Sequence, residues 1–448
     1  MQKHEHWGTK IGFLLASAGS AIGLGSLWRF PYVVGENGGG AFVLMYIAFS
    51  ILIALPAFIG ELIVGRTSQK SSVLAYEALG SSNWRIVGWL SFLTSFLILS
   101  YYNVVSGWCI NYAIMSLSHF ANGKSPDQIR DIFTLLTESG DMSIFWLIVF
   151  ILMNVGIVYS GVQKGIEKWS KILMPALFIL LLLMLSFSIS LPGFGKAFSF
   201  IFSPDFSKVT GTTVLMALGM SFFTMSIGLG INVTYGSYLS KKESIPQLGI
   251  LVTIMTTLVS LLAALMIFPI IFTYDMSPEG GPGLIFKTMP ILFEQMPASV
   301  LLSTIFFILV SFAALTSTIA MFEVLVANLM EVVDLPRTKS IICIACGLLL
   351  MGIPAALSNS ELLFVNWIKI YGQSYFDTLS NITANWMMPI AGLLSTVFAG
   401  WIMQREKLVE GYLHGDTYKA TVPVFTVLLQ WIIPAAVIIV ILQELGLF

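Results

Sequence analysis

The sequence predicts an all-α polytopic membrane protein with eleven transmembrane helices, arranged as two inverted repeats of five helices each and one further helix at the C-terminal end. The first observation is composition: 57% of the 448 residues are hydrophobic and 10% are charged, whereas soluble domains carry about 25% charged residues. The second is that apolar runs of about 18 residues or more, long enough to cross a bilayer, recur along the whole chain. The third is that lysine and arginine concentrate in alternate segments between these runs.

The chain is predicted to form a single domain over residues 1–448, with one apolar run for each span. The first repeat, residues 9–190, contains spans 1 to 5 at residues 9–35, 40–65, 87–118, 143–160 and 167–190. The second repeat, residues 212–403, contains spans 6 to 10 at residues 212–239, 247–273, 299–332, 338–357 and 374–403. Span 11, residues 420–444, stands outside both repeats.

The distribution of positive charge predicts the orientation. With the N-terminus in the cytoplasm, 15 of the 22 lysines and arginines lie in cytoplasmic segments, six lie in extracellular segments, and Arg29 lies within span 1. Cytoplasmic loops of membrane proteins carry this excess of positive charge. Eleven spans then place the C-terminus outside the cell. The net charge of −1 gives no basis for nucleic-acid binding.

Span 1 is interrupted by the run Gly19-Ser20-Ala21-Ile22-Gly23-Leu24-Gly25. Each of its three glycines weakens a helix by about 1 kcal/mol relative to alanine. A break at membrane depth exposes backbone groups that cost several kcal/mol each unless something satisfies them. A broken helix within a bundle therefore predicts an ion or substrate site.

Span 6 repeats this break. Its residues Ile227–Gly230 match the tetrapeptide Ile22–Gly25, 205 residues later. Spans 1 and 6 are the first helices of the two five-span halves, and an odd number of spans gives the halves opposite topology. Paired breaks in corresponding spans of inverted repeats point to a transporter site near the middle of the membrane.

Hydroxyl groups near both breaks could complete such a site. Ser20, Ser26, Thr224 and Ser226 flank the two breaks, and span 8 adds the run 316–318, Thr-Ser-Thr. The alternative is that each hydroxyl bonds a carbonyl of its own helix, which is common in membrane helices. The two glycine breaks favour a binding site.

Four charged residues lie within apolar runs. Arg29 is near the outer end of span 1, where an arginine is costly and usually functional, although snorkelling to the interface is the alternative. Asp377, near the outer end of span 10, could pair with it and close an outer gate. Glu61 and Glu323 are expected to satisfy unwound backbone, with proton coupling as the alternative.

Spans 5 and 9 each contain one further motif. Gly165 and Pro175 in span 5 are compatible with either a static kink or local unwinding. Cys343 and Cys346 have the spacing of a redox or metal motif, but they lie inside an apolar run. We therefore interpret them as small buried hydrophobic residues.

These motifs resemble those of the neurotransmitter:sodium symporter family. The resemblance is carried by residues 21–31, the turn at residues 36–42, Tyr101-Tyr102, residues 226–230, Thr316-Ser317 and Asp377, and it covers nearly the whole chain. It implies the leucine-transporter fold and sodium-coupled import by alternating access. The eleven-span form resembles bacterial members, which implies a bacterial cytoplasmic membrane.

The resemblance implies two sodium sites. The first would be formed by the carbonyl of Ala21, the hydroxyls of Ser26, Thr224 and Thr256, and the substrate carboxylate. The second would be formed by the carbonyls of Gly19, Ile22 and Ala313 and the hydroxyls of Thr316 and Ser317. Ser26 and Thr256 stand where asparagines are usual. Chloride dependence stays open, because Ser260 agrees with chloride-dependent members whereas Met220 replaces an expected glutamine.

The resemblance also implies the substrate site and its gates. The substrate carboxylate would meet the amides of Gly23–Gly25 and the Tyr102 hydroxyl, and the amine would meet carbonyls near Ala21, Phe223 and Ser226. The complete substrate-binding set is Ser20, Ala21, Gly23, Leu24, Gly25, Ile98, Tyr102, Phe223, Thr224, Ser226, Leu229, Ser317 and Met321, with Phe223 as a lid. Arg29 and Asp377 would form the outer gate, and Trp7, Tyr238 and Glu331 the inner gate.

The implied substrate is a hydrophobic L-amino acid. Ser20 stands where amine-transporting members carry aspartate, so a substrate with its own carboxylate is favoured. Leu229 and the deformable Met321 suit side chains from leucine to tryptophan in size. A monomer should suffice. An ion channel and a non-transporting amino-acid sensor are the alternatives. An enzyme is not expected, because the sequence contains neither a zinc HExxH motif nor a nucleotide P-loop.

Overall fold

The structure is a computed structural model that describes residues 5–275, 283–360, 363, 366–413 and 417–446, except for the side chain of Lys208. Within these ranges every regular element is a helix. The ends of the predicted domain, residues 1–4 and 447–448, lie outside the described residues.

Nine helices of the described chain are long and apolar enough to cross a membrane. They correspond to predicted spans 2 to 5 and 7 to 11. Their bounds are Gly40–Ser68, Ser82–Leu117, Gly140–Val158, Val162–Ile189, Ile245–Thr273, Ser299–Val333, Arg337–Ala356, Tyr375–Ile402 and Lys419–Glu444. The predicted all-α membrane fold is confirmed.

Spans 1 and 6 are broken where the glycines predict. Span 1 consists of Lys10–Ala21 and Gly25–Glu36, which meet at a 50° bend. Span 6 consists of Gly211–Thr224 and Ile231–Ser237. With these two broken spans the helices correspond one to one with the eleven predicted spans. How many of them cross the bilayer stays a prediction.

The break in span 6 depends on left-handed backbone. Ser226, Gly228 and Gly230 have φ values of 52°, 84° and 71°. Residues other than glycine rarely adopt this backbone region. Gly228 has a second constraint, because a Cβ there would lie 2.5 Å from the carbonyl oxygen of Met388 in span 10. The break therefore packs closely against span 10.

Several short helices lie in segments that the sequence analysis treated as loops. They are Ser72–Leu79, Pro126–Glu138, Phe194–Phe202, residues 284–294, Trp367–Tyr371 and Arg405–Tyr412. One carried a readable signal: Ser125 and Gln128 form a capping box at the start of Pro126–Glu138, a pattern visible in the sequence.

Span 8 lies at the centre of the bundle. It packs along span 3 over much of its length and also contacts the first half of span 1 and span 5, whereas the second half of span 6 packs against span 2. This packing places both helix breaks beside the middle of spans 3 and 8.

The cysteines correct one interpretation. Cys109 is buried, but Cys343 and Cys346 are exposed on span 9, so they are not buried core residues. An apolar helix needs only one side facing the bundle, and these two cysteines lie on its other side. Among the described residues, no group of three or more histidine, cysteine or acidic side chains is arranged to hold a metal.

Candidate functional site

The broken regions of spans 1 and 6 meet at span 8. The Ser226 hydroxyl donates to the carbonyl of Ser20 at 3.3 Å. The Ser317 hydroxyl lies 3.2 Å from the carbonyl oxygen of Gly19 and 3.1 Å from that of Ser20. Carbonyls released at the end of Lys10–Ala21 are thus turned towards hydroxyls of two other spans.

A cavity lies at this meeting point. It is lined by Ser20, Ala21, Gly23, Gly25, Ile98, Tyr102, Phe223, Ser226, Leu229, Ile231, Ser317 and Met321. All of these except Ile231 belong to the predicted substrate-binding set. The two remaining members of that set lie elsewhere: Leu24 lines a neighbouring space, and Thr224 lies in the helix before the break.

One end of the cavity is polar. The Leu24 amide donates to the Tyr102 hydroxyl at 2.8 Å, at the N-terminus of the helix Gly25–Glu36. A Cβ on Gly23 would lie 2.3 Å from the Ser317 hydroxyl and 2.7 Å from that of Tyr102, so this close approach requires glycine. Helix N-termini attract anions through their free amides and dipole.

The other end of the cavity is apolar and uncharged. Ile98, Leu229, Ile231 and Met321 are all buried, and none of the described charged side chains lines the cavity. Because an unpaired charge is costly to bury, this end suits a hydrophobic group.

Phe223 separates this cavity from a larger space, which we call the vestibule. The vestibule measures about 1070 Å³. Its lining includes Trp28, Arg29, Tyr32, Gln373, Phe376 and Asp377, and it shares Gly25, Tyr102 and Phe223 with the cavity. The Arg29 guanidinium lies over the Phe223 ring, 4.5 Å from its centroid, which is a cation–π contact.

Arg29 and Asp377 both line the vestibule but do not form the predicted ion pair in this conformation. No ion pair within 4.0 Å joins them in the described part of the chain. Arg29 instead covers Phe223, and the Asp377 carboxylate accepts a bond from the Ser374 hydroxyl at 2.6 Å. Ser374 also caps the helix that begins at Tyr375, so local capping holds Asp377.

On the opposite side of the cavity, towards the N-terminus, aromatic side chains close the bundle. The Trp7 indole donates to the carbonyl of Tyr235 at 3.0 Å, and the Trp7 amide donates to the carbonyl of Tyr238 at 3.2 Å. The Tyr238 hydroxyl donates to Glu323 at 2.9 Å, and Arg337 forms an ion pair with Glu323. We call these five residues the N-terminal cluster.

Glu331 is not part of the N-terminal cluster, although it was predicted to share an inner gate with Trp7 and Tyr238. Its carboxylate accepts bonds from the amide and hydroxyl of Ser71, at 2.9 and 2.8 Å. Glu323, eight residues earlier on span 8, faces Tyr238 instead. The expectation that Glu323 satisfies unwound backbone is therefore wrong, because its bonds go to side chains. Arg337 was missed in the sequence analysis, because an arginine between two spans indicates orientation and gives no signal of an ion pair.

The residues predicted for the first sodium site are buried, but only some of them are hydrogen-bonded to one another. The Ser26 hydroxyl donates to the carbonyl of Ala21 at 3.3 Å. Thr256 donates to the carbonyl of Val252 in its own helix at 2.9 Å. Thr224 also bonds carbonyls of its own helix, so both threonines make the local bonds that were the alternative.

Tyr46 connects Thr224 to Ser260 and was missed by the sequence analysis. Its hydroxyl lies 3.1 Å from that of Thr224 and 3.4 Å from that of Ser260. Tyr46 is fully buried in span 2. A tyrosine in an apolar run gives no signal of such a role, because burial of its ring alone explains it.

The residues predicted for the second sodium site meet at the first break. Ser317 reaches the carbonyl of Gly19, whereas Thr316 makes a local bond within its own helix, to the carbonyl of Ala313 at 3.0 Å. Ile22 has φ −89° and ψ 77°, outside the helical region, so its carbonyl leaves the helix direction. The oxygens of this predicted site are all uncharged, the type that unwound transporter helices offer to sodium.

Glu61 satisfies the second break. It is 1% exposed, and it accepts bonds from the Gly228 amide at 3.0 Å and the Asn232 side chain at 2.9 Å. This contact agrees with the expectation that Glu61 compensates unwound backbone. Asn232 was not anticipated, since its partner is distant in sequence.

Comparison with known proteins shows which family the chain belongs to. A sequence model described as the Sodium:neurotransmitter symporter family matches residues 4–125 and 126–445. The chain is 37% identical over 448 residues to the uncharacterized sodium-dependent transporter YhdH of Bacillus subtilis, covering 100% of this chain and 99% of that protein. It is 32% identical to an uncharacterized sodium-dependent transporter of Haemophilus influenzae, with 99% of each covered.

A solved structure is also similar. The crystal structure of MhsT in complex with L-phenylalanine superposes with a TM-score of 0.90 at 35% identity, covering 98% of this chain and 100% of that one. The predicted resemblance to the family is confirmed. The chain belongs to the sodium:neurotransmitter symporter family, whose members are sodium-dependent membrane transporters rather than enzymes.

Proposed function

We propose that this protein imports hydrophobic L-amino acids together with sodium, by alternating access, across a bacterial cytoplasmic membrane. The observation that carries the proposal is the two-ended cavity at the helix breaks. Its polar end suits an α-carboxylate and its uncharged end suits a large apolar side chain. The similarity to MhsT, whose structure holds L-phenylalanine, supports this substrate class.

The substrate would lie with its backbone between the two breaks. Its carboxylate would face the amides of Gly23–Gly25 and the Tyr102 hydroxyl, and its ammonium group would face carbonyls near Ala21, Phe223 and Ser226. Its side chain would lie in the apolar end. An ammonium group that is paired with carbonyls needs no acidic side chain. This fits the cavity, because none of the acidic residues in the described part of the chain lines it.

Sodium would drive the transport. We propose two sites, the first at Ala21, Ser26, Thr224 and Thr256, the second at Gly19, Ile22, Ala313, Thr316 and Ser317. Each net positive charge entering through 100 mV gains about 2.3 kcal/mol. That energy can move a substrate against its gradient when substrate and ion cross together.

With the N-terminus in the cytoplasm, this conformation would face outward, with Phe223 between the cavity and the vestibule. The vestibule would then face the exterior, and the N-terminal cluster would seal the cytoplasmic side. Phe223 already lies between the cavity and the vestibule, and closure would bring Arg29 to Asp377. Opening of the N-terminal cluster would then release substrate and sodium into the cell.

Uptake of radiolabelled phenylalanine and leucine into proteoliposomes tests the proposal. We expect uptake with an inward sodium gradient and none when potassium replaces sodium. Full uptake in potassium contradicts sodium coupling. Substrate binding without uptake indicates a sensor, and single-channel currents indicate a channel.

Two further experiments address chloride and oligomeric state. Repeating the assay with gluconate in place of chloride decides whether chloride is required. Crosslinking in the liposomes tests whether the monomer suffices.

A further inference from the structure

Three lysines form one exposed face at the start of span 5. Lys164, Lys168 and Lys171 are exposed, and their spacing of four and three residues places them on one side of a helix. Trp169 and Ile172, 39% and 50% exposed, lie beside them. Lysine with tryptophan at the end of an apolar span marks the boundary between lipid headgroups and acyl chains. We call this the lysine face.

The charge of the lysine face is poorly compensated within the protein. Lys171 pairs with Glu167 at 2.6 Å, but within the described chain the ammonium groups of Lys164 and Lys168 have no hydrogen-bond or ion-pair partner. The start of a helix already carries partial positive charge and favours anions. Three lysines and one glutamate there leave a net positive surface that an external anion would stabilise.

The lysine face is next to the residues of span 5 that bind the N-terminal segment 5–9. The Gln163 side chain donates to the carbonyl of His6 at 2.9 Å. Glu167 accepts bonds from the Gly8 amide at 2.7 Å and the Thr9 hydroxyl at 2.6 Å. These contacts hold the segment that carries Trp7 into the N-terminal cluster. Any ligand that stabilises the first turns of span 5 therefore also stabilises that closed side.

We propose that the lysine face binds the phosphate of an anionic phospholipid. The phosphate contacts Lys164 and Lys168, and an acyl chain lies along Trp169 and Ile172. The bound lipid stabilises the helical start of span 5 and, through Glu167, the attachment of segment 5–9. The proposal depends on the membrane location of the family and not on the substrate or the direction of transport.

Lipid titration of the purified full-length protein tests the binding. Native mass spectrometry would follow retention of phosphatidylglycerol and, separately, phosphatidylcholine. The K164Q/K168Q variant removes the unpaired charges, and K241Q/K242Q is the matched control, because it removes two exposed lysines from the loop between spans 6 and 7. We expect about fivefold weaker phosphatidylglycerol binding per lysine, or about 25-fold for K164Q/K168Q, with the control near wild type.

Three outcomes would overturn this binding site: equal phosphatidylglycerol affinity in K164Q/K168Q and wild type, equal affinity of the wild type for both lipids, or complete displacement by millimolar inorganic phosphate. The last would show that the face takes free phosphate and not a lipid.

Hydrogen exchange in nanodiscs tests the coupling. We expect the amides of residues 5–9 to exchange several-fold more slowly in phosphatidylglycerol than in phosphatidylcholine. K164Q/K168Q should lose this difference and K241Q/K242Q should keep it. Equal exchange of the wild-type protein in both lipids would show that the bound lipid does not act on segment 5–9.

Discussion

Single residues shape the polar end of the cavity, and Gly23 leaves little room for a side chain there. Its Cα faces two hydroxyls at once, from span 3 and span 8, so no side chain fits without moving one of them. The sequence identified Gly23 as a helix breaker. That it is also a contact point for Tyr102 and Ser317 depends on how spans 3 and 8 pack, which no local pattern contains.

Gly23→Ala should abolish substrate binding, because the new Cβ would displace the hydroxyls of Ser317 and Tyr102. Scintillation proximity binding of phenylalanine measures the effect. Gly219→Ala is the control, since a Cβ there meets nothing within 4 Å. Wild-type affinity in Gly23→Ala would show that the cavity is not the substrate site.

Tyr102→Phe removes the hydroxyl that meets the Leu24 amide. We expect the affinity for phenylalanine to fall about five- to tenfold, because one hydrogen bond contributes about 1 to 1.5 kcal/mol. Tyr112→Phe is the matched control on the same helix, because its hydroxyl is buried without a partner among the described residues. If both variants lose affinity equally, the effect comes from span 3 as a whole.

At the scale of helices, apolar runs predict the spans well, because a bilayer-crossing helix must be long and apolar. The short helix at residues 284–294 could not be predicted this way. It buries Phe286 and Phe293 against other parts of the fold, and a short apolar stretch beside prolines does not reveal such packing. Span 8 also carries both Glu323 and Glu331, and only helix packing decides that Glu323 bonds Tyr238 whereas Glu331 bonds Ser71.

The pair Glu323–Arg337 should hold spans 8 and 9 against the second half of span 6. Arg337→Gln leaves the fully buried Glu323 without its cation, a change that typically costs about 3 to 5 kcal/mol for a buried pair. We expect the N-terminal cluster to open more often. Maleimide labelling of Ser237→Cys, a buried position beside Tyr238, should become faster.

This experiment needs a background in which the exposed Cys343 and Cys346 are replaced by serine. Glu331→Gln is the control, because Glu331 bonds only Ser71 among the hydrogen bonds described above. Faster labelling in Glu331→Gln but not in Arg337→Gln would support Glu331, which was predicted from the sequence, as the inner-gate residue.

For the whole molecule, the two sides of the cavity are in different states: the N-terminal cluster is bonded, whereas Arg29 and Asp377 are apart. One sequence must stabilise several such conformations in turn. A pattern of residues can therefore predict which residues interact, but not which of these interactions is formed in a given conformation. This is why the composition and glycine breaks predicted the architecture but not the conformation.

Arg29 and Asp377 should come together when the vestibule closes. We expect Arg29→Ala, Asp377→Ala and the double variant to reduce sodium-driven uptake by similar factors, because removing either partner removes the same interaction. Proteoliposome uptake with matched expression measures this. Reductions that multiply in the double variant, or normal uptake in it, would mean that the two residues act separately.

Phe223 is shared by both spaces, with the substrate cavity below its ring and Arg29 above it. An occupant that fills the cavity presses on the same ring that positions the arginine, whereas a small one leaves the ring unsupported. The ring can therefore act as a gauge of minimum size. We expect glycine and alanine to compete for the cavity yet be carried slowly, a lower limit on cargo that is independent of the upper limit set by cavity volume.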